Sequence, residues 1–77
     1  MSDTRTALVT IRATDWKDAY NRIAVYLPDN YEVGPVTPLD RPNQFEVTVV
    51  GTDVAGWTLD GYVIPRLASG LYFAKEV

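Results

Sequence analysis

Apolar residues in Ala7–Ile11, ALVTI, fall at every second position: Ala7, Val9 and Ile11 share one face, Leu8 and Thr10 the other. Period two with β-branched residues predicts a half-buried strand. The period then changes. Through ATDWKDAYNRIAVYLPDN, the residues Trp16, Ala19, Tyr20, Ile23 and Leu27 recur at spacings of three and four, the stripe of an amphipathic helix. Asp15 is the predicted N-cap, because its carboxylate can accept free amide hydrogens of the first turn. Pro28-Asp29-Asn30 stops the helix. Tyr31, Val33 and Val36 return to strand character, but Pro35 and Pro38 cannot donate to a ladder, so Tyr31–Thr37 is predicted as an irregular edge strand. After the turn LDRPNQ, Phe45, Val47 and Val49 alternate with Glu46, Thr48 and Val50 in a second clear strand.

In TDVAGWTLDGYVIPRLASG, the residues Val54, Trp57, Ile64 and Ala68, widened by Val63 and Leu67, predict a second helix, capped by Asp53 and ended by Gly70. Gly56 and Gly61 weaken that pattern, and Pro65 either kinks the helix or restarts it. LYFAKEV closes the chain as a strand with Leu71 and Phe73 expected inward.

The order strand, helix, strand, strand, helix, strand is that of a ferredoxin-like βαββαβ domain. The expected fold is thus α+β, a four-stranded antiparallel sheet in the order 4-1-3-2 with both helices on one face. One domain spans residues 1–77, with 1–5 as a flexible start. Two halves also explain a repetition: VTIRATD at Val9–Asp15 and VTVVGTD at Val47–Asp53 agree at four of seven positions. A true internal repeat accounts for it; so does convergence of any strand that leads into a capped helix. The strand order independently puts the proline-bearing strand at an edge, where proline is tolerated. The face away from the helices is expected to carry Leu8, Thr10, Arg12, Glu46, Thr48, Val50, Tyr72 and Ala74.

Composition narrows the chemistry. The chain has 47% hydrophobic residues, as globular domains do, and neither cysteine nor histidine. That removes disulfides, thiolate zinc sites, the thiol nucleophile and the commonest acid–base group. The absence of disulfide staples favours a reducing, cytoplasmic setting. No secretory leader pattern and no long apolar run is read, so no membrane association is expected. Asp15 and Asp53 are tempting as a carboxylate pair, yet antiparallel central strands put them at opposite ends of the sheet. Arg12 stands where small acylphosphatase-like domains bind phosphate, but Asp15 beside it would repel the anion and no glycine-rich cradle is present. Ser2 and Ser69 lack an activating partner. The expectation is a non-enzyme without cofactor or metal.

Nucleic-acid binding is the runner-up, because RNA-recognition domains share this topology. They stack bases on aromatics of the central strands; here those positions hold Leu8, Thr10, Glu46, Thr48 and Val50. A net charge of −3 also works against phosphate. Protein association remains. The interface is expected at Leu8, Thr10, Arg12, Thr48, Val50, Tyr72 and Ala74, or along an outer strand edge, with a host protein or a second copy as a homodimer. Trp16, Tyr20 and Trp57 are assigned to the core; Tyr26, Tyr31, Tyr62 and Tyr72 are the aromatics left for an interface.

The phrases YLPDNYEV, AGWTLDGYVIPRLASGL and FAKEV, with DAYNRIAV before the first, cover more than half the chain. In them the sequence resembles small uncharacterised proteins encoded by actinobacteriophages, of mycobacteriophage type. The resemblance carries over no functional residue. It implies a setting, a phage accessory protein made inside an actinobacterial host, where such proteins act by binding a host protein or by self-assembly.

Overall fold

The computed structural model describes residues 4–77. β1 (Thr4–Arg12), α1 (Trp16–Ala24), β2 (Tyr31–Pro38) and β3 (Gln44–Thr52) follow one another, then a π-helical segment, Leu59–Val63, runs directly into α2 (Ile64–Ser69), and β4 (Phe73–Glu76) closes the order. The strands make one antiparallel four-stranded sheet, β2-β3-β1-β4, the expected order read from its other edge.

Alternation decides which side is buried. Ala7, Val9 and Ile11 of β1 and Val47 and Val49 of β3 point to the helices and meet Ala19 and Ile23 of α1 and Leu59, Val63 and Leu67 beyond β3, all in one core. Val9 and Val47, equivalent residues of the repeated word, sit directly opposite each other in the β1–β3 ladder. A twofold relation between the halves would pass through that pair.

The first helix forms as its spacing predicts. Asp15 accepts a hydrogen bond from the Asp18 amide at 2.8 Å, and Asp18 reaches back to the Thr14 amide and forward to Arg22. Its buried stripe is narrower than predicted, because Trp16 and Tyr20, assigned to the core, are exposed. β2 is the irregular edge strand expected. Its register slips between Val33 and Val36, so that Gly34 and Pro35 face the one residue Thr48. Leu39 N–H donates to Gln44 O, so Pro38, one residue earlier, turns its donorless side to the free edge.

Three expectations need correction. The start is ordered earlier than foreseen, since Thr4 and Arg5 belong to β1; the remainder of the supposed flexible start lies outside the described residues. Asp53 does not begin a helix: Val54 and Trp57 form a bridged turn with Gly56 at φ +81°, and Thr58 is the cap, accepting from Gly61 N–H at 3.1 Å. Helix formation five residues late keeps Val63 and Leu67 of the expected stripe in the core, adds Leu59, and leaves Val54 and Trp57 exposed. Pro65 restarts the helix: π pairing, such as Ile64 N–H to Leu59 O, gives way to α geometry with Pro65 in the first turn, where its missing donor is tolerated. Finally, β4 is in the opposite phase. Ala74 is opposite Val9 and packs with Tyr72 against the core, while Phe73 stands opposite Thr10 on the open face and Leu71 is 96% exposed. Gly70 ends α2 at φ −86°, and the left-handed residue is Leu71, at φ +67°.

Candidate functional site

The loop that replaces the expected helix start is held by named bonds. Asn30, at the entrance to β2, donates through its side-chain amide to Thr52 O at 2.7 Å and to Trp57 O at 2.9 Å. Gly61 is required where the helix begins, because a Cβ there would come within 2.5 Å of Thr58 Oγ1. The wider π turn then presents Tyr62 to Trp57, ring centroids 4.4 Å apart and inclined at 59°, with the Arg66 guanidinium 5.4 Å from the Tyr62 ring. π segments are uncommon and concentrate at functional sites.

Trp57, Tyr62 and Arg66 form one wall of a cleft of about 690 Å³. The residues leaving α1, from Val25 to Asn30, form the other. Trp57 remains 42% exposed, so part of its ring faces solvent. Arg66 and Asp29 add opposite charges to its lining.

Beneath this loop lies a polar cluster. Asp53 accepts from Leu59 N–H at 2.9 Å, from the Tyr31 hydroxyl through a short bond, and from Arg5 Nη1 at 2.6 Å. The same guanidinium binds Glu76 at 2.5 Å and approaches Asp60 at 3.5 Å. The Tyr31 hydroxyl above all, with Arg5 and the Leu59 amide, holds the Asp53 carboxyl below the usual carboxylate range. Burial, then Asp53, pushes the Tyr31 phenol up, and Glu76 and Asp53 raise Arg5. Protons here are held in place by saturated partners, and the cluster acts as a clasp joining β1, β2, β4 and the π segment. Among the described residues no group of three acidic, histidine or cysteine side chains is gathered for a metal.

The sequence-derived interface divides. Leu8, Thr10, Arg12, Thr48 and Val50 do lie on the face away from the helices. Tyr72 and Ala74 do not; they are on the helix side, and Tyr72 meets Tyr26 edge-on at 5.8 Å. Phe73 takes their place on the open face. Register makes Val50, Leu8 and Phe73 diagonal neighbours across β3, β1 and β4, framed by Thr6, Thr10, Thr48 and Glu46. Tyr31, left for an interface by the sequence, is buried. Trp57 was missed because its spacing fits a helix stripe; the adjoining Gly56 was the one local sign of a turn.

No family model, no curated protein and no solved structure matches the chain. No helix among the described residues is long and apolar enough to cross a membrane.

Proposed function

We propose that this chain is a non-enzymatic protein-interaction module of ferredoxin-like βαββαβ type, a phage-encoded accessory protein that acts in the cytoplasm of its host. The observation that carries the reading is the cleft: Trp57 and Tyr62, in tilted contact and half-open, are fixed by the Asn30 bonds and by the π turn. Rigid aromatics on a braced loop lose little conformational freedom on binding, the property that makes Trp and Tyr the usual anchors of interfaces. The resemblance to actinobacteriophage proteins supports the setting, and the saturated hydrogen bonding of the Asp53 cluster supports a structural part for its charged groups.

Affinity capture from actinobacterial lysate, with and without nuclease, tests this with the wild type beside Trp57→Ala. The expected result is a host protein retained by the wild type after nuclease and lost with Trp57→Ala. Identical captured material for both chains removes the cleft from the mechanism. Material lost on nuclease treatment replaces the reading with a nucleic-acid one.

A further inference from the structure

The two outer strands end the sheet differently. β2 carries the bulge at Gly34–Pro35 and turns Pro38 outward, devices that spoil pairing with another strand. β4 has neither bulge nor proline. Its partner is β1 on one side, and no strand among the described residues pairs with the other. Val77 N–H donates to Thr6 O at 3.0 Å, which fixes the ladder's phase. Phe73, Lys75 and Val77 turn their backbone groups to β1, so Ala74 and Glu76 of β4 turn theirs to the free edge, and the same alternation carried to the residue before the strand turns Tyr72 outward.

We propose that β4 pairs antiparallel with β4 of a second copy about a twofold axis at Ala74, joining two four-stranded sheets into one. Outward-turned residues must oppose outward-turned residues, which leaves registers centred on Phe73, Ala74 or Lys75. Centring on Lys75 sets two ammonium groups opposite each other, which is destabilising. Centring on Phe73 leaves Glu76 without an outward-turned partner from the strand. Centring on Ala74 uses all three: Ala74 opposes Ala74, and Tyr72 opposes Glu76 on both sides of the axis. On the open face that register sets Phe73 opposite Lys75, a ring against a cation. Phe73 is 66% exposed, so the large apolar residue of the strand gains a register partner. The diagonal Val50, Leu8, Phe73 of one copy then continues into Phe73, Leu8, Val50 of the other. The pattern Tyr-Phe-Ala-Lys-Glu is complementary to itself when reversed.

The chain contains no cysteine, so single-cysteine variants read the register directly. Phe73→Cys, Ala74→Cys and Lys75→Cys are oxidised with copper phenanthroline and resolved on non-reducing gels. Opposed residues of a hydrogen-bonded pair lie about 5.5 Å apart at Cα, within disulfide reach, while diagonal ones lie beyond it. Ala74→Cys is expected to cross-link about tenfold faster than the other two. Sedimentation equilibrium should show the wild type as a concentration-dependent dimer. Phe73→Lys, which opposes Lys75, should weaken it about tenfold, and Phe73→Glu should retain it. Both Phe73 substitutions are at an exposed side chain, and circular dichroism verifies their folding. A wild type that stays monomeric at millimolar concentration, or fastest cross-linking at Phe73→Cys or Lys75→Cys, overturns the proposal. Either result leaves the cleft untouched, because Trp57-dependent capture is measured separately.

Discussion

Val9–Asp15 and Val47–Asp53 spell nearly the same word, and each ends in an aspartate just past a central strand. The first aspartate works on its own neighbourhood: Asp15 accepts from Asp18, three residues on. The second works across the molecule, tying Tyr31 and Arg5, 22 and 48 residues away, to the start of the π segment. The cause lies in what stands at equivalent places. Arg5 pairs with Gly51, and at the equivalent place opposite Ala13 the first half has Asn43, which is taken up in the β2–β3 turn at φ +61°; nothing in β4 stands where β2 supplies Tyr31. Identical letters thus take different parts because the sheet is asymmetric. β2 runs alongside β3 as far as Gly51, whereas β4 stops opposite Thr10 and covers nothing near Ala13.

Substitutions at the paired positions should break the equivalence in order of size. Ala13 is a buried alanine, while its counterpart Gly51 lies under the Tyr31 ring, where a Cβ would come within 2.5 Å of the ring and 2.3 Å of Asn30 O. Gly51→Ala is therefore expected to lose about 3 kcal/mol or more in denaturant unfolding, by overpacking against backbone as well as ring. Next comes Asp53→Asn, which weakens the acceptor for three donors and should lower the thermal midpoint about twice as far as Asp15→Ala.

The pH dependence sharpens this second case. Asp53 titrates below its unfolded value when folded, so its contribution is complete above the ordinary carboxylate range and is lost as pH falls through that range toward the lower folded value. The midpoints of wild type and Asp53→Asn should accordingly converge from about pH 5 downward. Asp18 is lowered too, by the Thr14 amide and then by Arg22, so some acid sensitivity should persist in Asp53→Asn. Asp15→Ala is expected to cost about 1 kcal/mol, an ordinary cap loss. Arg22→Gln, which breaks one exposed pair along α1, should change the midpoint least.

Local rules made the first half readable. Alternation placed Ala7, Val9 and Ile11, the cap chemistry placed Asp15, and proline's missing donor placed β2 at an edge. The failures share a cause as well: each depended on distant residues. Nothing near Asp53 in sequence announces Tyr31 or Arg5, and without them a helix at Val54 is the better local solution. LYFA is apolar at four consecutive positions, so its two phases are equally good strands; Leu71's left-handed turn and the Tyr72–Tyr26 contact choose one. Trp57 could be found in the cleft only after the late helix start was known. The open-face residues Leu8, Thr10, Arg12, Thr48 and Val50 were legible because in β1 and β3 one phase is apolar while the other mixes in Thr, Arg and Glu.

The sheet order also governs how the molecule can be made. β1 and β2 are not neighbours; β3 lies between them. A nascent chain that has emerged only through the β2–β3 turn owns a helix and two strands with no ladder to join. Gln44–Thr52 supplies a neighbour to both strands at once, so sheet formation waits on that single segment rather than proceeding half by half.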